Sequence, residues 1–171
     1  MNYPTFQDTL KQVYNELKDA PIEHAVVINK DGRILARAKG TKHQVSVAVN
    51  GLRLSTASHI HNHPPEDNGS GQDVGFSSAD FKACLFCKIK TWYVITPKSC
   101  YKLQNRNPDN YLRAKKIVKF HERRVNFLIR IADFIWPISS SVCNKYLTWA
   151  VDYVNRLTAN TFDLEYSKVE L

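Results

Sequence analysis

Three histidines stand at alternate positions ahead of two prolines, at His59, His61 and His63. The chain has six histidines, so half of them fall within five residues. Neutral imidazole nitrogens bind divalent cations such as zinc, and an extended chain places every second side chain on one face. The turn that Pro64 and Pro65 impose can aim two such rings at one point. The spacing makes His61 and His63 candidates for a metal site, and a solvated or structural histidine pair has the same pattern.

A carboxylate would complete such a site, because a catalytic zinc has three protein ligands and one open position. Two strings after the histidines offer one, Ser70-Gly71-Gln72-Asp73 and Ser77-Ser78-Ala79-Asp80. We favour Asp80, because Ser77 is a candidate helix cap and an apolar run follows, which would fix Asp80 in the first turn of a helix. Asp73 lies in a glycine-rich loop, where a ligand is poorly preorganised.

A further carboxylate, Glu23, precedes an apolar strand, where burying a charge costs free energy. A functional role for Glu23 would explain its presence there. Taken in order, Glu23, the string HNHP at 61–64 and the string SSAD at 77–80 resemble the motif of the JAMM (Mov34/MPN/PAD-1-like) metallopeptidase family. That family includes RadC-type proteins with the same HNHP string. The resemblance covers about residues 20–103, although the thirteen residues between His63 and Ser77 are more than the family usually has.

The resemblance implies a metal centre in which His61, His63 and Asp80 hold Zn²⁺. A water activated at that ion would hydrolyse a peptide or isopeptide bond, in a ubiquitin-like protein or a peptide precursor. Non-peptide amides remain an alternative substrate class.

The resemblance also implies the roles of the neighbouring side chains. Glu23 would be the general base, with Glu66 as the reserve candidate. Ser77 would donate a hydrogen bond to the oxyanion, and it could also cap the helix. His59 would lie on the strand face behind the ligands.

The elements that must position these residues predict an α/β fold. We expect a mixed twisted sheet flanked by helices, which the resemblance would make a JAMM/cytidine-deaminase-like sandwich. Apolar periodicity and turn residues predict helices at 5–19 and about 78–89, a hairpin over 25–38, and strands at 44–49, 55–61, 91–97 and 100–104. The sheet is expected to end there.

Residues 105–171 are predicted to form a helical extension packed on the core of residues 1–104. Its helices are expected at 109–136, ending at Pro137, and at 142–157. Four aromatic side chains there are expected to be packing residues: Trp136, Tyr146, Trp149 and Tyr153.

Basic residues concentrate in this extension. Between 105 and 130 there are eight basic and two acidic side chains, which is +6 of the chain's net charge of +8. Such a segment is either a solvated helix face or a surface for nucleic acid. The alternative to an enzyme is therefore a non-catalytic or RadC-like module that binds nucleic acid or a protein partner through this basic helix.

The bulk composition limits the remaining possibilities. A chain of 171 residues with 43% hydrophobic residues can bury one core. It has neither a long apolar run nor a basic-then-apolar start, so we expect a cytoplasmic protein without a membrane span. The four cysteines are expected to be reduced thiols. Cys84 and Cys87 lack the rest of a deaminase or zinc-finger motif, and both are expected to face the core.

Overall fold

A computed structural model describes residues 4–47, 56–65, 73–87, 89, 91–107, 110–137 and 139–171. Within these residues the chain forms four helices and six strands, and the last two helices make a helical C-terminal part. In chain order they are α1 (Phe6–Leu17), β1 (His24–Ile28), β2 (Ile34–Lys39), β3 (Ser58–Asn62), α2 (Ser78–Phe86), β4 (Thr91–Ile95), β5 (Cys100–Asn105), α3 (Asn110–Ile135), α4 (Ser140–Thr161) and β6 (Leu164–Val169).

The strands form one mixed sheet in the order β2-β1-β3-β4-β5-β6. Only the β3–β4 pair is parallel among the pairings of these six strands. A parallel pair needs a crossover connection, and α2 supplies it. Since α2 returns the chain to the start of β4, its N-terminus lies near the carboxyl end of β3. In open α/β sheets this edge is where ligands bind.

The two faces of the sheet are covered by different helices. Leu10, Val13 and Leu17 of α1 pack with Ile60 on one face. On the opposite face, Phe81 and Leu85 of α2 join a larger cluster that also holds residues of β4, β5, α3 and β6. Because side chains alternate along a strand, Ile60 faces α1 while His59 and His61 face α2. The predicted mixed sheet flanked by helices is therefore confirmed.

The strand predicted at 44–49 is wrong over its described part, residues 44–47, which lie in no strand. Residues 48 and 49 lie outside the described residues. β1 already pairs with β2 on one side and β3 on the other, so it has no free edge for this segment. Val45 and Val47 instead line a cavity beside the histidines.

The expectation that the sheet ends near 104 is also wrong. β6 follows α4 and pairs antiparallel with β5, from Cys100↔Val169 to Asn105↔Leu164. Asp163, which has a positive φ of 56°, lies in the turn between α4 and β6. Only half of the residues in the string LEYSKV are apolar, so its alternation gave little strand signal.

Burial and ring contacts bear on two further expectations. Trp136, Trp149 and Tyr153 are each about half exposed and lie outside the core, although Trp149 stacks on Tyr153 and contacts Tyr146. Cys84 is buried as predicted, whereas Cys87 is exposed at the end of α2. All four cysteines are free thiols. No described helix is long and apolar enough to cross a membrane.

Candidate metal centre

Three side chains converge at the carboxyl end of β3. The Nε2 atoms of His61 and His63 are 3.3 Å apart. Asp80 places Oδ1 3.0 Å from Nε2 of His61 and Oδ2 3.4 Å from Nε2 of His63. These residues form the one group of three or more potential ligands whose atoms lie within 4.8 Å of one another among the described residues.

The separations fit a zinc-like ion. Zinc bonds to imidazole nitrogen and carboxylate oxygen are about 2.0–2.2 Å, so two ligands of a tetrahedral ion lie roughly 3.3–3.5 Å apart. The 3.3 Å between the two Nε2 atoms and the 3.0 Å from Oδ1 of Asp80 to Nε2 of His61 match that spacing to within about 0.3 Å. The donor set of two imidazoles and one carboxylate is also one that catalytic zinc uses.

His61 and His63 are aimed by the backbone that holds them. His61 sits inside the sheet opposite Ala25 and Val94, and its side chain is only 4% exposed. His63 lies just past β3, where its N–H donates to the carbonyl of Ile95 at 2.8 Å. Its Nδ1 lies 3.3 Å from the carbonyl oxygen of Val74. Because a carbonyl only accepts, Nδ1 carries a proton, and Nε2 is the nitrogen that a cation would take in place of a second proton.

Asp80 is fixed by a capping box at the start of α2. Ser77 is the N-cap residue, and its N–H and hydroxyl both donate to Oδ2 of Asp80, at 2.8 and 2.7 Å. In return the Asp80 N–H donates to the Ser77 hydroxyl. The predicted serine cap is confirmed. Because Oδ2 is held by the helix start, Oδ1 is free to point at His61.

The same box occurs at α1, where Thr5 and Asp8 make the same three hydrogen bonds. Asp8 belongs to no group of three or more potential metal ligands among the described residues. The S-x-x-D string by itself therefore indicates a helix start. The neighbouring imidazoles are what make Asp80 a candidate ligand.

The charges within the cluster favour an ionised carboxylate. Burial raises the pKa of Asp80, but the charges and hydrogen bonds of His61 and His63 outweigh it and hold the pKa well below its ordinary value. Burial lowers the pKa of His63, but its hydrogen bond to Asp80 and the charge of that carboxylate raise the pKa overall.

Glu23 lies in the same cavity as the three converging side chains. This cavity has a volume of about 380 Å³ and is also lined by Ser77 and by apolar side chains such as Ile89 and Trp92. Burial raises the pKa of Glu23, although the charges of His61 and His63 oppose the shift. The structure thus brings together all five residues to which the sequence assigned a role in hydrolysis.

Asn62, between the two histidines, was not singled out from the sequence. Its side chain is fully buried and bridges β3 to the residues on either side of Glu23. Its Oδ1 accepts a hydrogen bond from the His24 N–H at 2.7 Å, and its Nδ2 donates to the Ile22 carbonyl at 3.1 Å. The middle residue of the HNH string thus holds the segment that carries Glu23. Its position between two candidate ligands was the only signal in the sequence.

His59 lines the cavity but is not part of the converging group. The centroids of the His59 and Trp92 rings are 4.0 Å apart, and burial lowers the pKa of His59 to about 3. It is therefore a neutral ring on the strand face behind His61, as the sequence suggests.

The competing ligand Asp73 is engaged elsewhere. Its carboxylate accepts hydrogen bonds from the hydroxyls of Thr96 and Ser99, the latter at 2.6 Å, and lies 3.5 Å from Nζ of Lys168. Asp73 therefore anchors the start of the segment ahead of α2 to the β4–β5 turn. Its proposed partner Ser70 and the reserve base Glu66 lie outside the described residues.

The C-terminal helices reach the site through His121 of α3. Its Nδ1 lies 2.9 Å from the hydroxyl of Ser78 at the start of α2, and its Nε2 lies 2.8 Å from Oδ1 of Asn155 on α4. This fully buried ring links three helices next to the capping box.

Most of the basic side chains of α3 are exposed, among them Lys115, Lys116, Lys119 and Arg123. Arg124 instead packs over the ring of Phe120. A solvated basic face accounts for these observations, and nucleic-acid binding through it stays a prediction.

Comparisons of the chain with protein-family models, with curated proteins and with solved structures found no significant match.

Proposed function

We propose that the protein is a zinc-dependent hydrolase of peptide or isopeptide bonds, of the type to which the JAMM resemblance points. The observation that carries the proposal is the convergence of His61, His63 and Asp80 in a cavity that also contains Glu23. Three protein ligands is the number that catalytic zinc sites have, whereas structural sites have four, so a bound ion would keep a position for water or substrate.

The proposal assigns a separate task to each side chain. His61, His63 and Asp80 would hold the cation, which when bound lowers the pKa of water and polarises a carbonyl. The Glu23 carboxylate accepts a proton from the attacking water and delivers it to the leaving amine nitrogen. The low exposure of Asn62 and His61 keeps bulk water away from one side of the reaction.

Ser77 has two tasks in this scheme. The Ser77 hydroxyl donates a hydrogen bond to Oδ2 of Asp80, so its first task is to orient that carboxylate. Donation to an oxyanion requires the hydroxyl to turn away from Asp80, while the Ser77 N–H keeps its own bond to Oδ2. Ser77 can then donate to the oxyanion while Asp80 stays in place as a metal ligand.

Zinc binding to a matched pair of variants tests the metal centre. We expect the metal-free protein to bind one zinc ion per chain in a calorimetric titration. Asp80→Asn should weaken binding by at least about 100-fold, because removing the charge removes a strong ligand. Asp73→Asn should bind as the wild type does, since Asp73 bonds to Thr96 and Ser99. The opposite pattern, or no zinc binding by the wild type, would refute the proposal.

Turnover is tested with Glu23→Gln, which retains the shape of the side chain but accepts no proton. We expect unchanged zinc affinity and a loss of peptide hydrolysis of roughly 10²- to 10⁴-fold. The readout is mass spectrometry of a defined peptide and isopeptide mixture. If the protein cleaves only small non-peptide amides, the metal chemistry is supported and the peptidase assignment is rejected.

A further inference from the structure

A second cavity, of about 450 Å³, adjoins the candidate metal centre on the other side of Ser77. Ser77 lines both cavities. The second cavity lies between α3 and α4, and Val74, whose carbonyl accepts the His63 hydrogen bond, also lines it. We call it the interhelical pocket.

The walls of the interhelical pocket are mostly apolar. They include Val125, Ile129 and Ala132 of α3, Leu147 and Val151 of α4, and Phe76 ahead of α2. A volume of this size is within the range of roughly 300–1,000 Å³ that ligand-binding cavities span. There is room for a whole side chain with adjoining backbone.

Most polar groups in the pocket wall are already paired. His121 bonds to Ser78 on one ring nitrogen and to Asn155 on the other, and the Cys143 thiol donates to a backbone carbonyl of α3. Asp133 is the charged residue of the wall, and it is exposed to solvent. A polar occupant elsewhere in the pocket would lose its hydrogen bonds to water and gain few in return. An apolar occupant gives up no hydrogen bonds on entry and is favoured by its own burial.

We propose that the interhelical pocket receives an apolar side chain of the peptide substrate next to the bond that is cleaved. This inference rests on the proposed hydrolase function, and it names the substrate class. The cavity on the metal side is lined by Val45, Val47, Ile89 and Trp92, so apolar walls flank Ser77 on both sides. An extended peptide that crosses Ser77 places one side chain in each cavity, with its backbone amide beside the metal ligands. The substrate is thus a peptide with aliphatic or aromatic residues around the cleaved bond.

A matched pair of substitutions on α3 tests the proposal. Ile129 lines the pocket and is 41% exposed, whereas Phe127 is 63% exposed and is not among the lining residues. Both positions tolerate a polar side chain without loss of the core. In zinc-loaded protein, Ile129→Asp should raise KM for the best apolar peptide by at least about tenfold, because a charge at the pocket wall disfavours apolar entry. The kcat and zinc affinity of Ile129→Asp should match those of the wild type. The KM, kcat and zinc affinity of Phe127→Asp should all match those of the wild type.

Two results would overturn the proposal. One is an unchanged KM in Ile129→Asp, and the other is a cleavage profile without apolar preference on either side of the cut.

A binding experiment separates this inference from the hydrolase proposal. Trp136 lines the pocket and is 48% exposed, and its indole N–H signal can be assigned by comparison with Trp136→Phe. In metal-free protein, a blocked tripeptide with a central leucine should shift that signal, and its counterpart with a central serine should not. If the signal shifts in a protein that binds no zinc, the pocket proposal is supported and the hydrolase proposal is refuted. If zinc-dependent cleavage occurs without a shift of the signal, the hydrolase proposal is supported and the pocket proposal is refuted.

Discussion

At the scale of single residues, one hydrogen-bonding unit performs two tasks at the start of α2. The Ser77–Asp80 capping box satisfies the first turn of the helix and at the same time presents Oδ1 of Asp80 to the histidines. Groups that orient a metal ligand typically contribute about 10- to 100-fold to metal affinity. The box at Thr5–Asp8 has the same hydrogen bonds without the histidines, so it isolates the capping task.

The two boxes give a matched prediction. We expect Ser77→Ala to lower the free energy of unfolding by about 1 kcal/mol through loss of the cap. It should also weaken zinc binding by roughly 10- to 100-fold, because Asp80 loses its hydroxyl partner. Thr5→Ala should cost similar stability and leave zinc affinity unchanged. Urea unfolding in chelator and calorimetric zinc titration measure the two effects, and equal zinc affinities in the two variants would contradict the idea.

At the scale of elements, the site depends on how β1 and β3 are joined. Glu23 precedes β1, His61 lies at the end of β3, and His63 lies just past it. The separation of Glu23 from the two histidines is therefore set by the antiparallel pairing of β1 and β3. Asn62 extends this pairing beyond the last backbone contact through its bonds to Ile22 and His24. These two bonds position Glu23, and neither of them involves a nitrogen atom of a candidate ligand.

Asn62→Ala should therefore separate binding from turnover. The candidate ligands are held by β3, by the carbonyl of Ile95 and by the capping box of α2. We therefore expect zinc affinity within about threefold of the wild type, whereas kcat should fall at least about tenfold as the proton acceptor moves. Stability should fall by about 1–3 kcal/mol, since the partly buried His24 N–H loses its acceptor and the buried Asn62 side chain is truncated. Asn62→Asp keeps that acceptor and should recover part of kcat. A parallel loss of zinc affinity and kcat would show that Asn62 supports the fold alone.

At the scale of the whole molecule, His121 joins α2, α3 and α4. Burial lowers the pKa of His121, although the hydrogen bond that its ring donates to Oδ1 of Asn155 opposes the shift. The folded protein therefore keeps this ring neutral at a pH where the unfolded chain, with an ordinary pKa of 6.5, takes up a proton. The contribution of His121 to stability is fully present above pH 6.5 and is lost as the pH falls below that value.

We expect His121→Gln to flatten this dependence. In chelator, the free energy of unfolding of the wild type should decline more steeply between pH 6.5 and 5.5 than that of the variant, by up to about 1.4 kcal/mol per pH unit. The remaining histidines contribute to both proteins alike, so the difference in slope belongs to His121. Urea titrations at several pH values measure it. Parallel curves would show that the folded protein protonates this ring as readily as the unfolded chain does.

The sequence by itself determined the local elements and the identity of the converging side chains. Period-two and helical spacing, prolines and the S-x-x-D cap are signals within a few residues, so β1, β2, α1 and α2 fall close to where they were expected. The choice of Asp80 over Asp73 also followed from a local feature, the first turn of a helix.

Only the tertiary structure decided which elements lie side by side. The pairing of β6 with β5, the place of Val45 and Val47 in a cavity wall and the bridge from Asn62 to Ile22 and His24 join residues far apart in the chain. Such contacts depend on which strand edge or surface is left open once the rest of the chain has packed. No short string of residues encodes that, and so the pocket between α3 and α4 could be found only in three dimensions.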